Sequence, residues 1–359
     1  MTNDTTSDDS PLPIFSWQDL PAMTHDLPGT GGTIRTTPEA FRVREIPAYL
    51  PSGSGSHYYL LVEKRERTTR DLIVALRDAG IPENRIGVAG LKDKVAVTEQ
   101  WISVPWADHE LAHRLDEMDG VTILDTSRHK NKLGVGHLFG NRFTITIHGV
   151  DATASQRAER ILEALSQSGL PNYVGPQRFG RFGRNAVDGL RVLRGERVPG
   201  DRRLQRFFVS AVQSYVFNDL LAQRVREGSV TRLIDGDWAR KVDTGGTFLV
   251  EDVARETPRA ERFEITALLP LHGRKVRISE GKAGQRERDA LARLGLAWSD
   301  LTGRRGDRRA TRIPILEPSV EAAGGTAIQL AFTLPKGSYA TTLLREVTGE
   351  PVDAPLDGE

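Results

Sequence analysis

Hydrophobic and polar positions alternate with period two in Phe41-Arg42-Val43-Arg44-Glu45-Ile46, and a second strand-like run, Tyr58-Tyr59-Leu60-Leu61-Val62-Glu63-Lys64, follows the loop Ser52-Gly53-Ser54-Gly55-Ser56. The pattern predicts two antiparallel strands joined as a hairpin. Thr68 and Thr69 offer an N-cap to a helix over residues 70–79, in which Leu72, Ile73, Leu76 and Ala79 have helical spacing, and Gly80 closes it. In Val88-Ala89-Gly90-Leu91-Lys92-Asp93-Lys94-Val95-Ala96-Val97, apolar residues lead into a tight Lys-Asp-Lys turn and resume after it, so one carboxylate is held out between two strand-like arms. A short polar helix is expected from Asp108 to Met118, with strands at Val121–Leu124 and Asn141–Ile147 and a helix from Ala154 to Gly169. Beyond Pro171 the texture shifts to Gly, Phe and Arg, with an amphipathic helix over Val209–Arg226. A strand returns at Ala327–Leu334, before a helix over Ser338–Val347, which suggests that a second domain is inserted into a strand-rich first one.

Composition narrows the chemistry. The 359 residues can bury a sizeable core, and length suggests two domains of ordinary size. There is no cysteine, which removes disulfides, thiol nucleophiles and cysteine metal sites and fits a reducing compartment. Charged residues make up 27% of the chain but nearly cancel to +1, so an electrostatic partner must be met by local patches. The polar, acidic start lacks the pattern of a secretory signal and reads as a disordered tail, and no apolar run is long enough for a membrane helix.

One motif names a different enzyme class. His109-Glu110-Leu111-Ala112-His113 matches H-E-x-x-H, where two imidazoles one helical turn apart hold zinc and the glutamate acts as general base. Its helix is short, rich in charge and flanked by Pro105 and Gly120, whereas a zinc helix needs a buried apolar face, so a solvated surface helix is the better reading. No phosphate-binding P-loop occurs, and Gly29-Thr30-Gly31-Gly32 lacks the strand and helix a dinucleotide fingerprint requires, so no cofactor is called for. Basic residues cluster at 128–132, at Arg178, Arg181 and Arg184, at Arg202, Arg203 and Arg206, and at 304–312; two clusters are interleaved with Phe179, Phe182, Phe207 and Phe208. Guanidinium groups beside aromatic rings suit a nucleic-acid groove, and single-stranded RNA offers the base faces for stacking.

Several segments together resemble the TruD family of tRNA pseudouridine synthases. They are Phe41-Arg42-Val43-Arg44-Glu45, the run from Ala89 to Trp101, Arg128-His129-Lys130, Gly140-Asn141-Arg142-Phe143, the run from Pro171 to Gly180, Ser210-Ala211 with Phe217-Asn218, and Leu334-Pro335-Lys336-Gly337-Ser338-Tyr339-Ala340-Thr341, in the family's order. The resemblance implies isomerisation of a tRNA uridine, typically uridine 13, to pseudouridine without cofactor or metal. It implies an α+β fold: a mixed-sheet pseudouridine synthase catalytic domain with an inserted α+β domain. The expected boundaries are a tail over 1–15, a discontinuous catalytic domain over 16–167 and 320–350, an inserted domain over 168–319, and a tail over 351–359.

The family's catalytic aspartate falls on Asp93, and its basic partner on Arg35, where some members carry lysine. By the same resemblance Phe41, Phe143 and Tyr339 are ring surfaces for the uridine and Asn141 a polar contact; Tyr339 departs from the common phenylalanine. Arg128, Lys130, Arg178, Arg304 and Arg305 are the expected RNA contacts. The expected partner is tRNA, with no metal and no membrane, for a cytoplasmic monomer. An inactive RNA-binding protein on the same scaffold would keep the basic clusters but need no Asp93.

Overall fold

Val97–Pro105 is the strand around which the main sheet is built, because nearly all of its residues are buried, a pattern that suits a central position. A computed structural model describes residues 14–34 and 37–349, and the fold is α+β. We label the first six strands β1 (Phe41–Pro47), β2 (His57–Arg65), β3 (Gly87–Val88), β4 (Val97–Pro105), β5 (Val121–His129) and β6 (Leu138–His148). The eight-stranded sheet runs Leu316–Ala322, Ala327–Pro335, β6, β1, β4, β2, β5, with β3 beside the far end of β4. The sheet is mixed: β1 and β4 are parallel and every other pairing is antiparallel.

Two sequence expectations need correction. β1 and β2 do run in opposite directions, but they do not form a hairpin: β4 lies between them and pairs with both. Period two encodes which face of a strand is buried, not which strand lies beside it. The Lys-Asp-Lys segment is not a tight turn either. β3 pairs with the far end of β4, Val88 opposite Ile102, so residues 89–96 form an open loop that runs back along the sheet.

The chain folds as two compact units. One comprises, of the described residues, Leu27–Glu163, Pro314–Ala340 and Val347–Gly349, and holds the eight-stranded sheet. In register, Phe41, Val43 and Glu45 of β1 share a face with Ile145, Phe143 and Asn141 of β6, and with Thr98 of β4, which sits opposite Lys64 of β2. Alternation continues that face through Val62 and Gln100 to Leu60 and Ile102. Helix α1 (Thr69–Asp78) covers the apolar end, packing Leu72 and Leu76 against Leu60, Val62 and Ile102. It starts at Thr68 through a reciprocal capping box with Asp71. The polar end of the face is left for the 89–96 loop.

The other unit comprises, of the described residues, Ile14–Asp26, Ala164–Ile313 and Thr341–Glu346. Its antiparallel sheet runs Asp307–Ala310, Ile265–Leu271, Trp238–Lys241, Thr247–Leu249, beside the long helix Arg202–Arg226. That helix begins seven residues before the expected Val209, capped by Asp201, because its first two turns are Arg- and Phe-rich and carry no apolar period. Asn218 accepts from the Val174 N–H and donates to the Val174 carbonyl, 2.8 and 3.0 Å, so the Phe217-Asn218 and 171–180 segments meet as structure. Among the described residues, no helix is long and apolar enough to cross a membrane.

His272 of this unit is fully buried, and neither ring nitrogen has a hydrogen-bond partner. Desolvation, reinforced by the Arg308 charge, pulls its pKa from 6.5 down to about 4. The unfolded chain therefore binds this proton first, and stability should fall as the pH drops from about 6.5 to about 4. Replacing His272 with Phe should remove most of that loss, up to roughly 3 kcal/mol for an imidazole so shifted. Urea denaturation of both proteins at pH 7 and pH 4.5 measures it.

Candidate active site

The polar end of the sheet face contains a buried cation. Lys92 has only 6% of its side chain exposed; its ammonium lies 3.0 Å from Oε2 of Glu45, itself 1% exposed, and donates to Asn141 Oδ1 at 2.6 Å. The contact with Glu45 is an ion contact rather than an aligned hydrogen bond, since the aligned one goes to Asn141. The other Glu45 oxygen accepts from the Trp101 N–H at 3.4 Å. Lys92 thus ties the 89–96 loop to β1, β6 and β4 through residues that alternation places on one face. On its other side Gly140 lets β6 lie close to the strand Ala327–Pro335: a Cβ there would meet the Leu334 carbonyl oxygen at 2.2 Å.

Two more residues hold the loop. The Lys92 N–H donates to Thr69 Oγ1 at 2.8 Å, and that hydroxyl donates to Gln100 Oε1 at 2.8 Å, so the first turn of α1 is tied to both loop and sheet. Lys64, with no exposed surface, donates to the carbonyl oxygen of Asp93 at 2.7 Å and to that of Arg67. Its pKa is lowered to about 8 by burial and by Lys92, against the opposing pull of Asp93 and Asp71. Asp93 itself is exposed, flanked by exposed Leu91 and Lys94. The result is an exposed aspartate on a backbone fixed on both sides.

Of the residues expected around Asp93, Asn141 joins the site through Lys92. Phe41 and Phe143 pack edge to face with centroids 6.3 Å apart, and Phe143 stacks on Phe332 at 5.2 Å. Both expected phenylalanines are buried, with 3% and 7% exposure. Tyr339 is half-buried in the same unit. Arg35 lies outside the described residues. Lys64, Thr69 and Gln100 also belong to the site, and the sequence gives none of them a role there; Thr69 reads only as a helix cap. The available signal was register: a lysine in line with Leu60 and Val62 on an inward face must either be paired or turn outward.

The H-E-x-x-H segment is an α-turn, His109–Ala112, flanked by 3₁₀ turns rather than a continuous helix. His109 Nδ1 lies 2.9 Å from the Trp106 carbonyl, with its ring stacked on Trp106, and His113 Nε2 lies 3.1 Å from the Tyr58 hydroxyl. The imidazoles are engaged with aromatic neighbours, and no cluster of three metal-ligating side chains occurs among the described residues.

The basic residues divide between the units. Arg128, on β5, donates to the Gly55 carbonyl and lies 4.1 Å over the Trp106 ring, so its guanidinium is engaged within its own unit, while Lys130 is exposed. In the other unit Arg178 donates to Ser210 Oγ at 3.0 Å and sits 5.0 Å over the exposed Phe207 ring. Burial, followed by the charges of Arg206 and Arg178, lowers the pKa of Arg304, so these three guanidinium groups, distant in sequence, share one neighbourhood. Arg206, seen from the sequence only as part of a cluster, belongs to this group. Arg305 is exposed next to it in sequence.

With this geometry in view, the comparisons with known proteins agree. The family model for tRNA pseudouridine synthase D (TruD) matches residues 19–197 and 198–347. A tRNA pseudouridine synthase D of Thermus thermophilus is 48% identical over 335 residues, covering 93% of each chain. One from Anaeromyxobacter dehalogenans is 45% identical over 355 residues, covering 95% of this chain and 99% of the relative. A crystal structure of a Methanosarcina mazei protein assigned to TruD superposes with a TM-score of 0.74 at 23% identity, over 92% of this chain and 97% of that one, a likeness of fold.

Replacing Lys92 with Met leaves Glu45 as a buried, uncompensated charge, and should cost about 3–5 kcal/mol in stability. Adding Glu45→Gln should recover part of that loss. Equilibrium denaturation of the single and double variants checks both.

Proposed function

The chain belongs to the TruD family of tRNA pseudouridine synthases, and on that premise we propose that it isomerises uridine 13 of tRNA to pseudouridine with Asp93 as the nucleophile. The observation that carries this reading is the presentation of Asp93: an exposed carboxylate on a loop whose neighbours, Lys92 and Ala96, are anchored or buried. The reaction breaks the bond from C1′ to N1 and makes one from C1′ to C5, with a proton leaving C5 and one ending on N1. A carboxylate beside the nucleoside can begin it by attack at C1′ or at C6. No cofactor enters this balance.

To reach Asp93 the uridine must leave its stack, at a cost of a few kcal/mol that pocket contacts offset. Asn141 gives its Oδ1 to Lys92 and so offers its Nδ2 amide to a uracil carbonyl. Phe41, Phe143 and Tyr339 are the proposed ring surfaces for the base, and Arg35 the proposed charge partner of Asp93. Lys130 and the group formed by Arg178, Arg206, Arg304 and Arg305 are the proposed contacts to tRNA phosphates, with Phe207 as a stacking face. We place the protein in the cytoplasm as a monomer, with the 168–319 region as an inserted RNA-gripping domain.

Mapping pseudouridine across the RNA of cells with and without the protein tests activity and target together. Loss confined to tRNA position 13 is the expected result; an unchanged map contradicts the reading. Replacing Arg304 and Arg305 by Ala should weaken tRNA binding and reduce the slope of log affinity against log salt by about 1–2. Binding titrations between low and physiological salt read that slope.

A further inference from the structure

We propose that Lys64 is a positioning residue of the reaction: its buried ammonium fixes the main chain of Asp93 and places a positive charge close to that residue. This rests on the reading of Asp93 as nucleophile. Lys64 occupies the last inward position of β2 before Arg65 ends the strand, opposite Thr98 of β4 and Val121 of β5. It has no exposed surface, so its ammonium is kept only because carbonyl oxygens replace water. The two oxygens it bonds belong to Arg67, just ahead of α1, and to Asp93. One side chain therefore joins the start of the helix that covers the core to the residue that reacts.

The bond to Asp93 is made to its own carbonyl rather than its carboxylate. Lys64 therefore holds the backbone of Asp93 and does not itself occupy the carboxylate. A side chain on a fixed backbone starts near its reacting geometry, and a misplacement of about 1 Å can cost on the order of 100-fold in rate. Lys64 adds a charge term as well, since it lies within electrostatic reach of Asp93, together with Lys92 and Asp71, the other charged groups that face it. Its loss of a proton near pH 8 would remove that charge while leaving an amine that still donates to both carbonyls.

The test compares the full-length protein with Lys64→Met, which keeps the length of the side chain and removes its charge and donors. The expected result is tRNA affinity within about twofold of wild type and single-turnover pseudouridine formation slowed about 100-fold, the scale of a misplaced reacting group. The alkaline fall in wild-type rate near pH 8 should be absent from the variant. Because the chain has no cysteine, Lys64→Cys can be alkylated in the denatured state with bromoethylamine at this position alone and refolded. The resulting amine, less basic than lysine, should restore most of the rate and move the alkaline fall to lower pH. Wild-type rate in Lys64→Met, a wild-type profile flat through pH 8, or failure of the refolded amine to outperform the unalkylated Cys variant would overturn the proposal. Asp93→Asn, run in parallel, separates the two ideas: if it is active, the nucleophile is wrong. If it is inactive while Lys64→Met is fully active, only the role of Lys64 is wrong.

Discussion

The contact on which the site depends is the buried meeting of Lys92, Glu45 and Asn141. Taking an ammonium and a carboxylate out of water costs several kcal/mol per ion, and that cost is offset only when the partners are held in place. Here they are held by three strands: Glu45 on β1, Asn141 on β6, and Trp101 of β4, whose N–H reaches Glu45. The loop carrying Asp93 therefore cannot drift without exposing a buried charge. A pair that is a weak source of net stability becomes a strong source of specificity, because one loop position satisfies it and displaced positions do not.

That arrangement explains how a polar site coexists with a core on the same sheet face. Leu60, Val62 and Ile102 lie under α1, while Lys64, Thr98, Gln100, Glu45 and Asn141 continue the same register toward the 89–96 loop. Thr69 stands where the two zones meet, at the first turn of the helix, with its hydroxyl shared between Gln100 and the Lys92 N–H. Core packing sets the helix, the helix sets Thr69, and Thr69 helps set the loop.

The sequence made part of the inward face legible, since alternation sets Phe41 and Val43 apart from the exposed Arg42 and Arg44, and the caps at Thr68 and Gly80 bound α1 as expected; the buried Glu45 and Lys64 that continue the face are charged and break the apolar pattern. It did not make pairing legible: nothing local tells β1 that its neighbour is β4, a strand more than fifty residues later, rather than β2. Asp93 stood out through the ordered set of distant motifs, not through its own surroundings. Lys64 carries no local signal of its role, because a lysine at a strand end is ordinarily solvated. The gathering of Arg178, Arg206 and Arg304 was invisible for the same reason as the strand pairing: it is made by tertiary structure across more than a hundred residues.

The most direct measurement is single-turnover pseudouridine formation on purified substrate tRNA by wild type and Asp93→Asn, with tRNA binding measured on the same preparations. The account predicts that the variant binds tRNA as wild type does and forms no pseudouridine above the enzyme-free background. Product formed by Asp93→Asn at a rate comparable to wild type would contradict it.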